Sequence, residues 1–474
     1  MKTQDRFDKA SCEATEALQK AGGKVYVVGG YVRDAYMGVE PNDVDLMVTD
    51  LTDKEIDKTL LVLDGYVNYT GISFGVFRYT SKDGSEVEIS MPRIEISTGV
   101  GHKQFDVELS VGTTVEDDLF RRDFTVNAMA IDLDTDELID PHGGLNDINT
   151  STLVQVNPDS LNEDPIRILR ALVAYARFGL IPTVQTKEIM KNNGANIVGE
   201  SAERIRYELD KLMESKNPAA GIRLAIECDV LKYILPEVND CVGYNQNNKH
   251  HQQQLGQHLV SVLEYVSVKT DDPDVRLAAL LHDIGKPGSQ WTDPETGGSH
   301  FYKKVYDDGS FVGQQHEELG AEMTKALMKR LTYSNERIKR VTDLVKFHMY
   351  PPFTTAKGAR KFIHKVGDNA DDLINIRWAD QGGKTEYPSR LEKVYDLENE
   401  ISLIDHVRQA EQPTSVSHLA IDGNDLIGIG IEKGPKIGEV LNELVEVVLD
   451  KPILNERDTL LELAQAHDAP PAHL

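Results

Sequence analysis

The stretch VYVVGGYVRDAYMGVEPNDVDLMVTD, residues 25–50, decides how the first part of the chain folds. A valine-rich run ends in Gly29 and Gly30, which predicts a strand followed by a turn whose backbone can approach a phosphate closely. A short helical segment follows, and then a second apolar strand that starts with Asp43 and Asp45. Side chains two residues apart on a strand point to the same side, so both carboxylates are predicted to hold one or two Mg²⁺ ions.

These parts in this order predict one type of reaction, although no single part is specific enough to predict it. Asp-x-Asp begins nine residues after Asp34, the neighbour of Arg33. A phosphate-binding turn beside metal-binding carboxylates predicts nucleotidyl transfer, in which a hydroxyl attacks the α-phosphate of a nucleoside triphosphate. The string GG-x-V-R-D before Asp-x-Asp resembles the nucleotidyltransferase superfamily of DNA polymerase β, most closely the bacterial-type tRNA nucleotidyltransferases (CCA-adding enzymes). The resemblance implies that Gly29, Gly30 and Arg33 bind the nucleotide.

The amino-acid composition limits the classes of protein to which the chain can belong. The chain has 474 residues, 27% of them charged, and a net charge of −27, which argues against a general nucleic-acid binder but leaves room for one local basic groove. Three cysteines without metal or disulfide spacing favour a reducing, cytoplasmic location. The polar N-terminus is not typical of a signal peptide, and no apolar run reaches the about 18 residues that predict a membrane span.

A second motif, RRDFTVNAMA, begins at Arg121. Unpaired arginines beside a phosphate site neutralise triphosphate charge, whereas the plainer interpretation is an exposed basic pair on a helix. The whole string is similar to the second motif of the tRNA nucleotidyltransferases. That resemblance implies a nucleotide contact for Arg122, with Asp123 as its orienting partner.

A third motif, EDPIRILRALVAYARF, begins at Glu163 and predicts a helix with Pro165 in its first turn. A carboxylate at Asp164 could accept from the exocyclic amino group of cytosine or adenine, while Arg167 donates to the ring nitrogen. The alternative is an ordinary solvated Asp–Arg pair on a helix. The resemblance assigns base reading to the ED-x-x-R motif and a nucleotide contact to Arg170. Relatives often carry a further arginine at the position of Val173.

A separate set of histidines and aspartates occupies residues 250–385. Imidazoles and carboxylates on separate helices are how a mixed metal site is built. The string HDIGKP resembles the HD-family phosphohydrolases, which implies one or two divalent metals (Ni, Mn, Co or Fe) and hydrolysis of 2′,3′-cyclic phosphate or 2′-phosphate. The alternative is a vestigial domain that only holds RNA. The predicted ligands are His258, His282, Asp283, His316, His348 and Asp380.

The predicted fold class is α+β. A polymerase-β-like head with a mixed sheet and helices (residues 1–150) precedes an all-α neck (151–240), an HD domain (241–390) and a helical tail (391–474). The resemblance implies that the tail helps to hold the tRNA elbow. The basic run KGARKFIHK, residues 357–365, is a candidate phosphate contact, although such runs are usually solvated.

The resemblance, which covers nearly the whole chain, implies a Mg²⁺-dependent enzyme that adds CCA to tRNA 3′ ends from CTP and ATP without a template. Its partners are tRNA and the two nucleotides, with no membrane. The alternatives are a poly(A) polymerase, an HD phosphohydrolase whose head only binds nucleotide, and a non-catalytic RNA-binding protein. Whether the enzyme adds CCA, CC or A alone stays open, as does the oligomeric state.

Overall fold

The two apolar runs around the double glycine are neighbouring strands of one sheet. The computed structural model describes residues 3–41, 43–69, 75–97, 105–108, 112–245, 254–294, 297–305, 310–384 and 387–468. In it β1 (Lys24–Val28) pairs antiparallel with β2 (Asp45–Thr49), and both strands are buried along most of their length. Unbroken apolar runs of this kind form strands that are covered on both faces.

The sheet is mixed, as predicted. Its strand order in the described residues is β3-β4-β5-β2-β1-β8-β9, and β2 runs parallel to β5 while the other neighbours are antiparallel. The parallel register places Glu88 of β5 beside Asp45. The other strands of this part of the chain are β3 (Gly65–Asn68), β4 (Val76–Ser81), β5 (Glu86–Ser90), β6 (Ile94–Ser97), β7 (Phe105–Glu108), β8 (Ala130–Asp132) and β9 (Leu138–Ile139).

The chain divides into two compact units, Met1–Asn239 and Asp240–Leu474. In the first unit the sheet gives way to helices after residue 150, as the 3.6-residue periodicity predicts. The helices, with two short paired strands, are α1 (Lys9–Lys20), α2 (Gly30–Tyr36), α3 (Asp53–Leu61), α4 (Val115–Phe120), α5 (Gly144–Asn149), β10 (Thr152–Leu153), α6 (Ser160–Glu163), α7 (Ile166–Phe178), β11 (Ile181–Pro182), α8 (Val184–Asn193), α9 (Ala202–Glu214), α10 (Pro218–Glu227), α11 (Leu231–Ile234) and α12 (Pro236–Asn239).

Helix α7, which carries the third motif, packs against α9 and α10. Its apolar stripe, which includes Ile168, Leu169 and Leu172, is buried. Gly179, with φ of +72°, ends the helix in the left-handed conformation that glycine adopts without strain. Asp164 lies just before the helix, at the end of α6, in an extended conformation.

The second unit is mainly helical. Its elements are α13 (Leu255–Val266), α14 (Pro273–Leu281), α15 (Lys286–Ser289), β12 (Trp291–Thr292), β13 (Ser299–His300), β14 (Lys304–Val305), β15 (Phe311–Val312), α16 (His316–Arg330), α17 (Asn335–Phe347), α18 (Ala356–Val366), α19 (Ala370–Gly382), α20 (Tyr387–Gln409), α21 (Gly423–Gly428), α22 (Pro435–Asp450) and α23 (Arg457–Asp468). Among the described helices, none combines the length and apolar character needed to cross a bilayer.

The short strands β12 and β13 pair antiparallel, and the Trp291 and His300 rings lie 4.8 Å apart. One local interpretation differs from the structure. In the basic run, Lys357 and Lys361 both pair with Asp450, so their charges hold α18 near the end of α22. The α+β class is confirmed, while the four domain boundaries stay a prediction.

Candidate functional site

The double-glycine turn and the second motif meet at one point. Gly29 has φ of +70°, and a Cβ built there would lie 2.6 Å from Nη1 of Arg122. The positive φ therefore favours glycine, and a side chain there would also displace the guanidinium. The Gly29 amide donates to the carbonyl of Met129 at 3.2 Å, which fixes the turn against the end of the second motif.

The arginines of the second motif are paired in this structure. Arg121 contacts one oxygen of Asp118 at 2.6 Å and Arg122 contacts the other at 3.2 Å. The Asp118 side chain is fully buried. The expectation of unpaired arginines is therefore wrong, because a buried carboxylate three to four residues earlier on α4 neutralises both.

A chain of polar contacts connects all three motifs. Arg33 donates to Oδ1 of Asn127 at 2.6 Å, and Nδ2 of Asn127 donates to Asp123 at 3.0 Å. The other oxygen of Asp123 pairs with Arg170 at 2.9 Å. Burial is the largest influence on the pKa of Asp123 and would raise it, but Arg170, Asn127 and Arg167 together hold that pKa below its usual range. Arg33 also lies over the ring of Phe178, 4.1 Å from its centroid.

The predicted metal carboxylates lie at the start of β2. The strand begins at Asp45, so Asp43 precedes it and is exposed rather than being paired on the strand as predicted. Burial, and then the negative charges of Glu88 and Asp43, raise the pKa of Asp45 to about 6, against the opposing effect of Arg122. A divalent cation would offset the negative charge that disfavours ionisation of Asp45. Asp43 and Asp45 therefore fit Mg²⁺.

Asp164 and Arg167, the predicted base-reading pair, differ in how fully their polar atoms are hydrogen-bonded. Oδ2 of Asp164 accepts from Nη2 of Arg204 at 2.9 Å, whereas Oδ1 is buried without a hydrogen-bond partner. Arg167 lies 3.9 Å from Asp164, but its guanidinium donates to the carbonyl of Arg121 at 2.7 Å and to Oγ of Ser160 at 2.9 Å. In this conformation Arg167 braces the second motif, and Asp164 retains an unused acceptor.

The histidines and aspartates of the second unit converge. His258 comes from α13, His282 and Asp283 follow α14 directly, His316 begins α16, His348 follows α17 and Asp380 lies on α19. Nε2 of His282 and of His316 each lie 3.2 Å from Asp283, and Nε2 of His348 lies 3.5 Å from it. Nε2 of His258 lies 3.1 Å from Asp380. All six predicted side chains therefore form one cluster, the HD cluster.

Backbone carbonyls orient three of these imidazoles. Nδ1 lies 2.8 Å from the Ala279 carbonyl in His282, 3.1 Å from that of Phe301 in His316 and 2.7 Å from that of Val345 in His348. Each Nδ1 is then the protonated nitrogen, which leaves Nε2 as a lone-pair donor directed into the cluster. None of these three buried Nε2 atoms has a hydrogen-bond partner, so the donor set fits a divalent metal.

Two groups in the HD cluster have ligand atoms within 4.8 Å of one another. They are His258, His282 and Asp283, and Asp283, His316 and His348, and they share Asp283 as two adjacent metal positions would.

Two lysines neutralise the carboxylates of the HD cluster. Lys286 contacts Asp283 at 2.5 Å, and Lys384 contacts Asp380 at 2.6 Å. Burial opposes ionisation of Asp283, but His282, Lys286 and His316 together hold the pKa of that carboxyl well below its usual range. A cleft of about 390 Å³ opens on the cluster and is lined by both lysines.

Sequence reasoning missed several of these residues. Glu88 and Asp118 become neighbours of the site only through sheet register and helix geometry. Arg204 lies forty residues beyond Asp164, and no motif marks it. Lys286 had a signal, since it stands three residues after Asp283 in HDIGK.

A mixed sheet whose glycine turn, arginines and strand-end carboxylates meet defines a nucleotidyltransferase head, and the HD cluster defines a metal-binding hydrolase-type module. Family models agree along the chain. They are "Poly A polymerase head domain" over residues 25–154, "Probable RNA and SrmB- binding site of polymerase A" over 180–242 and "HD domain" over 255–398. Head and HD domains of these kinds generally use divalent metals.

Whole-chain comparisons identify the family. The chain is 32% identical over 346 residues to the A-adding tRNA nucleotidyltransferase of Deinococcus radiodurans, covering 70% of this chain and 75% of the relative. It is 32% identical over 335 residues to the multifunctional CCA protein of Legionella pneumophila (strain Paris), covering 69% and 74%. The chain belongs to the tRNA nucleotidyltransferase family that contains these CCA-adding and A-adding enzymes.

The fold is also that of a solved relative. The Bacillus stearothermophilus CCA-adding enzyme in complex with CTP matches with a TM-score of 0.66 over 97% of both chains. The two sequences are 18% identical, so this similarity concerns the fold.

Proposed function

We propose that this protein adds nucleotides from CTP and ATP to the 3′ end of tRNA, and so builds or repairs the CCA terminus without a template. The observation that carries the proposal is the contact between Gly29 and Arg122 beside the strand end at Asp45, in a chain of this family. The names of the relatives, an A-adding tRNA nucleotidyltransferase and a multifunctional CCA protein, support the same substrate class.

Each motif then has a role in the transfer. Asp43 and Asp45 hold Mg²⁺, which when bound activates the tRNA 3′-hydroxyl and neutralises charge at the α-phosphate. The hydroxyl oxygen attacks the α-phosphorus, its proton is released and pyrophosphate leaves. Gly30 and Arg33 with Arg122 bind the triphosphate.

Nucleotide binding rearranges charge in the head. Arg122 contacts Asp118 at 3.2 Å, and Arg170 contacts Asp123 at 2.9 Å. A triphosphate is a competing bidentate acceptor, so it shares or replaces these partners when it binds. The buried carboxylates keep the guanidinium groups in place before the nucleotide arrives.

Base choice depends on Asp164 and Arg167. The unused Oδ1 of Asp164 is the acceptor for the exocyclic amino group that cytosine and adenine share. Uracil offers a carbonyl at that position and leaves the carboxylate unpaired, which costs about 1–3 kcal/mol. Arg167 must leave the Arg121 carbonyl if it is to donate to the ring nitrogen, since its guanidinium is bonded there in the free protein.

We also propose that the HD cluster is a live phosphohydrolase centre acting on 2′,3′-cyclic phosphate or 2′-phosphate. His258, His282 and Asp380, with the rest of the cluster, hold one or two divalent ions such as Ni, Mn, Co or Fe. In hydrolysis water adds its oxygen to phosphorus, one ribose–oxygen bond to phosphorus breaks, and the leaving oxygen takes a proton. Lys286 and Lys384 lie where they can neutralise the phosphate once metals occupy the carboxylates.

A cytoplasmic location fits both activities and the three free cysteines. The four-part division into head, neck, HD domain and tail remains part of the proposal. A poly(A) polymerase shares the head motifs, but the HD cluster favours the CCA-adding relatives.

The deciding assay uses tRNA transcripts that end before CCA, after C and after CC, each with labelled CTP or ATP. Incorporation of CTP on the first two ends and of ATP only on the third supports complete CCA addition. Incorporation of ATP alone, on the CC end, indicates an A-adding enzyme, which the name of the Deinococcus radiodurans relative makes the second candidate. Long adenylate tails on any RNA end contradict both and indicate a poly(A) polymerase.

A further inference from the structure

We propose that a second cleft beside the HD cluster is a nucleoside subsite, which holds the sugar and base of the group whose phosphate lies at the metals. This inference rests on the proposed hydrolase activity of the cluster. The second cleft has a volume of about 290 Å³, near the lower end of the roughly 300–1,000 Å³ range of small-molecule sites. Its lining residues are His348, Met349, Tyr350, Pro352, Arg377, Asp380, Gln381, Leu397 and Glu400.

The second cleft adjoins the first one at the metal ligands. His348, Met349 and Asp380 line both clefts, so a molecule bound at the cluster can extend from one into the other. Tyr350 stands two residues after His348, and Gln381 directly follows Asp380. The chain segments that supply the metal ligands therefore also supply the walls of the second cleft.

The two clefts differ in the charge of the side chains that line them. The first cleft carries Lys286 and Lys384 beside the metal ligands, which suits a phosphate. In the second, Arg377 makes two contacts to Glu400, at 2.5 and 3.1 Å, and the Glu400 side chain is 1% exposed. These two charges cancel, so the second cleft suits a neutral group rather than another phosphate.

Two side chains offer the contacts that a nucleoside needs. The Tyr350 ring packs edge-on against Phe362 at 5.0 Å, which fixes an aromatic surface in the cleft wall. Aromatic rings bind any base by stacking. Among the described residues the Gln381 side chain has no hydrogen-bond partner, and its amide carries both donors and an acceptor. That combination can pair with either a purine or a pyrimidine edge, so weak base preference is expected.

The remaining walls are apolar. Met349 is 54% exposed, and Pro352 and Leu397 complete the lining. An exposed methionine adapts its shape to a partner and makes favourable contacts with rings. A nucleoside carrying a 2′,3′-cyclic or 3′-phosphate matches this division into one anionic and one flat, neutral part. It can come from a free nucleotide or from the 3′ end of an RNA.

The test compares substrates with and without a nucleoside in the full-length protein. Gln381→Ala and Tyr350→Leu are the test variants. Gln257→Ala is the matched control, because Gln257 neighbours the ligand His258 in sequence but is exposed and lines neither cleft. The substrates are 2′,3′-cyclic AMP, a short RNA with a 2′,3′-cyclic phosphate end, and bis(p-nitrophenyl) phosphate, each with added Mn²⁺ or Ni²⁺.

We expect both test variants to raise KM by about five- to tenfold for the nucleoside-containing substrates, since each loses one stacking or hydrogen-bonding contact. The kcat/KM for bis(p-nitrophenyl) phosphate should stay within about twofold, and the control should resemble wild type. A KM effect on the RNA alone would identify the RNA end as the ligand and still support the subsite. Equal losses on all three substrates, or no change on any, would overturn it.

A binding measurement separates this inference from the activity on which it rests. Calorimetry with 3′-AMP and with inorganic phosphate needs no turnover. If wild type hydrolyses nothing, the proposed hydrolase activity fails. The subsite still stands if Gln381→Ala weakens 3′-AMP binding about five- to tenfold and leaves phosphate binding unchanged. Unchanged 3′-AMP binding in Gln381→Ala overturns it.

Discussion

Arg204 donates to Oδ2 of Asp164 at 2.9 Å and leaves Oδ1 of the same carboxylate buried without a partner. The pair links α9 to the residue just before α7. One oxygen is thereby fixed, and the other is buried with its hydrogen-bonding capacity unused. A buried acceptor in a native protein is costly unless something fills it, so this geometry is expected of a carboxylate that reads a base.

Asp164→Ala should lower selectivity for cytosine and adenine over uracil. Removal of a charge-assisted hydrogen bond to the amino group is worth about 1.5–3 kcal/mol, so discrimination should fall roughly ten- to a hundredfold. The measurement is kcat/KM for CTP, ATP and UTP on matched tRNA ends. If all three decline by the same factor, the carboxylate serves structure or triphosphate binding instead.

Arg204→Ala should reproduce this pattern at smaller amplitude, because the carboxylate remains but is no longer fixed. We expect a loss of selectivity of about three- to tenfold, and Arg204→Lys should recover part of it. Lys187→Ala is the control, since it breaks the exposed Lys187–Glu227 pair in the same unit. Lower thermal stability with unchanged base ratios would mean that Arg204 only joins the helices.

Arg167→Ala should destabilise the first unit. Its guanidinium is buried and donates to the Arg121 carbonyl and to Ser160, which would lose their partner. A broken buried network of this kind costs about 2–4 kcal/mol of the free energy of unfolding. Urea denaturation measures it, with the exposed Lys191→Ala as the control. Unchanged stability together with lost nucleotide addition would favour a purely base-reading role.

The sequence predicted the parts of the site that are local in the chain. The glycine turn, the strand behind it and the helix of the third motif depend on patterns within a few residues. The histidines of the HD cluster could be listed because the string HDIGKP resembles the HD-family phosphohydrolases. Their convergence on one carboxylate, Asp283, required the fold.

The contacts that the sequence did not predict involve partners that are distant in the chain, or residue types that are common at such positions. Nothing in RRDFTVNAMA shows that Asp118 neutralises Arg121, because an acidic residue one turn away is common on any helix. Lys357 belonged to a basic run that indicated phosphate binding, yet Asp450, ninety-three residues later, pairs with it. Burial and pairing are tertiary properties, and charge counts do not report them.

Asp45→Asn should abolish nucleotide addition, with a loss of several orders of magnitude in kcat, because an essential metal ligand is removed.

Glu88→Gln should also reduce the rate, by about ten- to a hundredfold, since Glu88 lies beside Asp45 in the parallel register and adds to the negative potential there. Both variants should keep the wild-type melting temperature, and Glu137→Gln, exposed elsewhere in the head, serves as the control. Normal turnover in Asp45→Asn would refute the metal assignment.

The two centres should be separable, because the head carboxylates and the HD cluster lie in different compact units. The double variant His282→Ala with Asp283→Ala removes the carboxylate that both candidate metal positions share. Bound Mn²⁺ or Ni²⁺, measured by mass spectrometry after desalting, should fall to background, and hydrolysis of 2′,3′-cyclic AMP should stop. The kcat/KM for CTP and ATP on tRNA should change by less than about twofold. His406→Ala, which removes an exposed histidine of α20, should retain both metal content and hydrolysis. If the double variant stays folded but loses nucleotide addition, the centres are coupled and the modular interpretation is wrong.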